Sequence, residues 1–111
     1  MKKVEAIIRP SALRGVLDGL KSVGYSGVTV TEVQGHGTQK GITESYRGQS
    51  VEGLLAKLLL TTIVSDKHLN KVIAIIIKTA RTGEIGDGKI FVSSVANAIR
   101  IRTGEKGDKA I

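Results

Sequence analysis

The chain of 111 residues contains no cysteine and no tryptophan, a single proline, and 3% aromatic residues. The lack of cysteine excludes disulfides, thiolate metal sites and cysteine nucleophiles. The longest apolar runs, 54–60 and 72–77, are too short to span a bilayer, and the first residues lack the apolar stretch of a signal peptide. We therefore expect a cytoplasmic protein whose core consists of aliphatic side chains.

Positive charge is in excess. Lys and Arg number 17 against 10 Asp and Glu, which gives a formal net charge of +7. Such an excess attracts anions but does not distinguish the phosphates of a nucleotide from those of nucleic acid or lipid. The length fits one domain, 1–111.

The hydrophobic periodicity predicts two βαβ units. Apolar residues alternate in a first strand over 3–8 and recur at helical spacing from Leu13 to Val23, with Ser11 as N-cap and Gly24 as stop. A second strand is predicted at 28–33. The second unit consists of a strand at 54–64, a helix capped by Ser65 and Asp66 with apolar positions from Leu69 to Ala80, and strands at 89–93 and 98–102. This order predicts an α+β, ferredoxin-like βαββαβ fold with an antiparallel sheet.

A long segment separates the two units. Residues 37–53 read GTQKGITESYRGQSVEG, with four glycines and neither a strand nor a helix period. A structureless loop of this length is uncommon in a compact domain and is usually functional or disordered. We therefore expect this segment to be either functional or disordered.

Three polar clusters could bind a ligand. They are Gly35–Gly41, Gly83–Lys89 and Arg100-Ile101-Arg102. Closely spaced glycines let backbone N–H groups approach an anion, and on a strand the two arginines would share a face. Simpler interpretations remain open, since a glycine-rich turn is often only a turn, an Arg-x-Arg pair often lies on a solvated edge, and Asp87 could cap the turn.

Catalysis is not indicated. His36 and His68 are the two histidines, and neither lies at a recognisable motif spacing from a serine or carboxylate. His68 is expected to be exposed near the start of the second helix. The sequence predicts a binding protein and no enzyme.

The sequence resembles the PII nitrogen-regulatory proteins. The similarity is carried by KKVEAIIRP at 2–10, by GHGTQKG followed by TE and YRG at 35–48, by ARTGEIGDGKIFVS at 80–93, and by IRIRTGEKG at 99–107. These stretches are collinear with the family over essentially the whole chain.

The resemblance implies a homotrimer with ATP or ADP bound in clefts between neighbouring subunits. The turn 82–89 would bind the phosphates, with Arg100 and Arg102 supplied by the next subunit. Nucleotide-binding positions implied in this way are Thr29, Gly35, His36, Gly37, Thr38, Ile85, Gly86, Asp87, Gly88, Lys89, Arg100 and Arg102.

The resemblance also implies an effector and partners. Gln39 would coordinate Mg²⁺ together with ATP phosphates, and 2-oxoglutarate would bind at Gln39, Lys40, Gly41 and Lys57. Hard oxygen ligands such as the Gln39 amide suit Mg²⁺. The segment 37–55 would be a mobile effector loop, through which target proteins such as an ammonium transporter or a nitrogen-assimilation enzyme would contact Glu44, Tyr46 and Arg47.

The chain departs from the family pattern around the loop, which is one residue shorter between Gly48 and Lys57 than its common form. Val51 lies where many bacterial members carry a modified tyrosine, and His36, Thr38 and Thr61 replace the frequent Phe, Arg and Glu. One alternative is therefore a PII-like trimer that binds adenine nucleotide without sensing 2-oxoglutarate. Another is a ferredoxin-like RNA-binding module, although such modules stack bases on sheet aromatics that are scarce here.

Overall fold

The computed structural model describes residues 1–36 and 53–111 in full and, between them, the backbone of Ser45–Tyr46 and Gln49–Ser50. The helices are α1 (Leu13–Ser22) and α2 (Leu69–Ala80). The strands are β1 (Lys2–Ile8), β2 (Thr29–Gly35), β3 (Ser45–Tyr46), β4 (Gln49–Ser50), β5 (Leu55–Val64) and β6 (Lys89–Ser94).

The main sheet has four antiparallel strands in the order β2-β5-β1-β6. This is the predicted ferredoxin-like α+β arrangement. The small strands β3 and β4 pair with each other, Ser45 opposite Ser50, within the segment that the sequence predicts to be structureless. They form a separate two-stranded sheet.

The core lies between the two helices and one face of the sheet. Val4, Ala6 and Ile8 of β1 are 1–2% exposed and contact a cluster of buried residues from α1, β5 and α2, namely Val16, Leu20, Leu60, Val64, Val72, Ile76 and Ala80. The alternation predicted for the first strand is therefore confirmed. Side chains of opposite parity point to the other face, against which neither helix packs.

Helix starts differ from the prediction. A 3₁₀ turn, Pro10–Ala12, precedes α1, and neither Ser11 nor any other side chain caps the helix, so the predicted Ser11 cap is wrong. A similar turn, Asp66–His68, precedes α2 without a side-chain cap. In the turn before α1, Pro10 fixes a backbone φ angle that suits the first turn of a helix. The predicted stop at Gly24 is confirmed by its φ of +93° and its N–H bond to the Lys21 carbonyl.

The predicted strand over 98–102 is also wrong. A single bridge joins Ile99 to Lys106, and the residues between them form a turn closed by hydrogen bonds from Gly104 N–H to Arg100 O and from Arg100 N–H to Glu105 O. Gly104 has a φ of +72°, which favours a turn over an extended strand. Among the described residues, no helix is both long and apolar enough to cross a membrane.

Candidate functional site

The candidate site is a cavity of about 530 Å³ at one end of the sheet. That volume lies in the range of small-molecule sites. Strands β1 and β2 end here and β5 and β6 begin here, because Gly35 pairs with Leu55 and Ile7 with Lys89. The lining combines the loop ends with the glycine-rich turn, in the set Ile7, Gly35, His36, Leu55, Lys57, Glu84, Ile85, Gly86, Asp87, Gly88, Lys89 and Phe91.

The turn 82–88 is closed by the carboxylate of Asp87. Its oxygens accept hydrogen bonds from the Thr82 N–H at 2.8 Å, the Thr82 hydroxyl at 2.5 Å and the Gly83 N–H at 2.9 Å. These bonds, led by that from the Thr82 side chain, hold the pKa of the Asp87 carboxyl well below its ordinary value. Asp87 therefore caps the turn, as one of the simpler interpretations of the sequence suggested. It also lines the cavity.

Gly88 brings the turn against the backbone of β1. Its φ is +106°, and a Cβ atom built on it would lie 1.7 Å from the carbonyl oxygen of Ile7. A side chain at this position is sterically excluded. Glycine is thus required for the turn to approach the sheet closely.

Two lysines give the cavity its positive side. Lys57 of β5 donates from Nζ to the carbonyl oxygen of Gly86 at 2.8 Å. The lysine predicted to bind 2-oxoglutarate therefore contacts the turn predicted to bind the nucleotide phosphates. Lys89, the first residue of β6, is exposed beside the same turn. Ile85, 65% exposed, adds an apolar side chain to the cavity.

Arg100 and Arg102 do not line this cavity. They lie in the turn that replaces the predicted final strand, so the argument that strand alternation puts them on one face does not hold. Arg100 Nη1 lies 3.4 Å from Glu105 Oε1, and Arg102 is exposed. Within one chain, these arginines are separate from the glycine-rich turn.

Thr29 is also placed elsewhere. It begins β2, whereas Gly35 ends the strand, and it lines a second cavity of about 800 Å³ together with Tyr25, His68 and Ile111. The grouping of Thr29 with Gly35 and His36 is therefore not formed within a single chain.

The two histidines have different surroundings. His36 is exposed, and its ring occupies the space that a Cβ atom on Gly53 would take, with Cδ2 at 2.6 Å from that position. His68 is half-buried and contacts the Tyr25 hydroxyl through Nδ1, which also lies 3.1 Å from Ser65 Oγ. The expectation that His68 is exposed is wrong because Tyr25 covers it.

Several predicted positions fall outside the described residues. These are Gly37, Thr38, Gln39, Lys40, Gly41, Glu44 and Arg47, and for Tyr46 the description stops at the backbone. Within the part of the chain that is described, no group of three or more His, Asp or Glu side chains could hold a metal ion. The predicted Mg²⁺ ligand Gln39 is not in that part.

Arg9 and Thr82 contribute to the turn but were not predicted as site residues. Arg9 lies 78 positions from Asp87 in the chain, so no local pattern could reveal their contact. Thr82 could have been found, because threonine and aspartate side chains commonly hydrogen-bond nearby backbone groups in turns.

Comparison with known proteins shows similarity along the whole chain. The family model described as Nitrogen regulatory protein P-II matches residues 1–105. Nitrogen regulatory protein P-II 2 of Methanothermobacter thermautotrophicus is 51% identical over 112 aligned positions, covering 100% of this chain and 97% of the relative. Nitrogen regulatory protein P-II of Haemophilus influenzae and Nitrogen regulatory protein P-II 1 of Escherichia coli K12 are each 52% identical, with full coverage of both chains.

Proposed function

Because this chain belongs to the nitrogen regulatory protein P-II family, we propose that it exerts its signalling role in nitrogen regulation by binding ATP or ADP in the cavity at the sheet end. The observation that carries the proposal is the turn 82–88, whose Gly86 and Gly88, together with Lys57 and Lys89, line the same cavity as His36 and Leu55 on either side of the segment 37–52. Exposed backbone amides and lysines suit a polyphosphate. The protein acts as a non-catalytic regulator in the cytoplasm.

The functional unit is a homotrimer that completes the nucleotide site. Arg100, Arg102 and Thr29 lie away from the turn within one chain, so a neighbouring subunit must supply them if they contact the same nucleotide. The uncovered face of the sheet supports association, because Ile7, Leu59, Ile63 and Phe91 lie on it by strand register. Phe91 is 52% exposed in the isolated chain.

The effector is 2-oxoglutarate, bound with Mg²⁺ beside the ATP phosphates. Lys57 at the cavity wall is suitably placed to meet a carboxylate, and Gln39, Lys40 and Gly41 begin three positions after the described His36. Ligand binding then biases the conformations of the effector loop. The loop contacts an ammonium transporter or a nitrogen-assimilation enzyme through Glu44, Tyr46 and Arg47.

Calorimetric titration of the purified protein tests nucleotide binding. We expect Lys89→Ala to weaken ATP binding about 10-fold or more, because a charge-assisted contact to phosphate is lost. Lys78→Ala on the exposed side of α2 is the matched control and should bind as the wild type does. Unchanged ATP affinity in Lys89→Ala would contradict the proposed site.

A second titration tests effector sensing. We expect 2-oxoglutarate to bind in the presence of ATP and Mg²⁺ and to bind poorly when either is omitted. The alternative is a trimer that binds nucleotide but does not sense 2-oxoglutarate. In that case Lys57 would stay bound to the Gly86 carbonyl instead of binding a carboxylate. Absence of 2-oxoglutarate binding alongside normal ATP binding would establish that alternative.

A further inference from the structure

Arg9 connects the end of β1 to the glycine-rich turn. Its Nε donates to Asp87 Oδ1 at 3.2 Å, and its Nη2 donates to the carbonyl oxygen of Ile85 at 2.8 Å. The two charged side chains are 22% and 23% exposed. Arg9 follows the last residue of β1 and is not one of the residues that line the cavity.

We propose that Arg9 is a positioning residue that aims the backbone N–H groups of the turn at the phosphates, an inference that rests on the proposed nucleotide site. Within a planar trans peptide the carbonyl and the N–H point in opposite directions. Holding the Ile85 carbonyl on Arg9 therefore directs the Gly86 N–H away from Arg9.

Lys57 acts on the next peptide in the same way. It holds the Gly86 carbonyl at 2.8 Å, which directs the Asp87 N–H to the opposite side. Two successive carbonyls are thus bound by cations, and the two N–H groups of the same peptides are fixed in orientation before a ligand arrives. Such preorganised donors bind an anion without first losing conformational freedom.

The fork of the guanidinium explains why arginine is used here. A single Arg9 side chain bonds both the Asp87 carboxylate and the Ile85 carbonyl, whereas the compact ammonium of lysine does not present this planar pair of donors. Thr82 and Gly83 also bond to Asp87. The turn can therefore close without Arg9, but its attachment to β1 is weakened.

The test compares Arg9→Gln, Arg9→Lys and the control Arg14→Gln. Arg14 pairs with Asp18 at 3.9 Å on exposed α1, so its loss removes an arginine–aspartate contact far from the turn. We expect Arg9→Gln to weaken ATP binding about 10- to 100-fold, the range for hydrogen bonds made by a charged donor, with an intermediate loss for Arg9→Lys and none for Arg14→Gln.

Amide NMR spectra of the nucleotide-free protein separate positioning from general destabilisation. We expect Arg9→Gln to shift the amide signals of 82–88 while those of α1 and α2 stay in place and the melting temperature changes little.

If the wild type binds ATP and Arg9→Gln binds it equally well, the positioning role is refuted and the proposed function stands. If the wild type binds no ATP, the proposed function fails and the inference fails with it; if Arg9→Gln does not fold, Arg9→Lys decides by the same criteria.

Discussion

At the scale of single residues, the geometry of Gly88 combines a backbone constraint with a steric one. Its φ of +106° is unfavourable for any other residue, and the Ile7 carbonyl oxygen occupies the place of a Cβ atom, 1.7 Å away. Gly83 shares the first property, with a φ of +90°, but nothing lies within 4 Å of a Cβ built there. Comparing substitutions at Gly83 and Gly88 therefore separates the cost of a positive φ angle from the cost of a steric clash.

We expect Gly88→Ala to lower the free energy of unfolding by about 3 kcal/mol or more, because strain and a backbone clash add together. Gly83→Ala should cost about 1 kcal/mol from strain alone. Urea unfolding of the two variants measures the difference. Equal losses would show that the close approach of the turn to β1 contributes nothing.

Asp87 determines how the turn responds to acid. Its pKa is lowered in the folded protein, first by the hydrogen bond from the Thr82 side chain. The unfolded carboxyl binds its proton at a higher pH, near its ordinary pKa of about 3.9. Its stabilising effect is therefore present above about pH 4 and is lost as the pH falls below that value.

We expect the wild type to lose more stability between about pH 6 and pH 3 than Asp87→Asn does, because asparagine has no proton to take up. Asp66, whose pKa the hydrogen bond from the N-terminal ammonium lowers, titrates in both proteins and so does not affect the comparison. Urea unfolding at the two pH values provides the measurement. Parallel losses would mean that the bonds to Asp87 do not stabilise the fold.

At the scale of elements, α1 approaches α2 closely at Gly19. A Cβ atom there would lie 3.0 Å from Ile75 Cγ1 and from Thr79 Cγ2. Thr79 is fixed by the bond from its hydroxyl to the Ile75 carbonyl at 2.7 Å, so it cannot turn away freely. At Gly15 the nearest atom is the Thr79 carbonyl oxygen at an ordinary 3.6 Å.

Alanine substitution should therefore have opposite effects at these two glycines. We expect Gly15→Ala to raise the free energy of unfolding by about 0.5–1 kcal/mol through helix propensity. Gly19→Ala should lower it by about 1 kcal/mol or more through overpacking. Thermal or urea unfolding decides; a similar gain at both positions would show that the interface between the helices has room for a methyl group at Gly19.

At the scale of the whole molecule, the sheet has one face covered by the helices and one uncovered. Ile7, Leu59, Ile63 and Phe91 lie on the uncovered face, as the strand register shows, and Phe91 is 52% exposed. Half-exposed apolar side chains on such a face are typical of an interface with another subunit.

We expect analytical ultracentrifugation to give a mass about three times the 11.7 kDa of one chain, in keeping with a closed cyclic trimer. Phe91→Glu should shift the mass toward that of one chain, because a charge would be buried at the interface. Ala74→Glu, on the exposed side of α2, is the control and should leave the assembly intact. A Phe91→Glu trimer as stable as the wild type would place the interface elsewhere.

The local pattern of the chain was enough to predict the order of the two helices and of the four strands in the main sheet, although not the small strands β3 and β4 or the turn that replaces the expected final strand. Alternation in β1 and helical spacing in α1 and α2 correspond directly to burial, since these side chains face one common core. Gly24 and the turn before Lys89 could be predicted because positive φ angles favour glycine locally. The proposed ligands were predicted from the resemblance to the family, because periodicity carries no information about ligands.

Contacts between distant parts of the chain were decided by the tertiary structure alone. The sequence could not show that Arg9 bonds to Asp87 and Ile85, that Lys57 reaches the Gly86 carbonyl, or that Tyr25 covers His68. These partners lie at least 29 positions apart in the chain. The packing of β1, β5 and β6 side by side brings Arg9 and Lys57 to the turn, whereas Tyr25 follows α1 and meets His68 just before α2. Periodicity gives the face of an element on which a side chain lies, whereas its partner depends on the neighbouring elements in the fold.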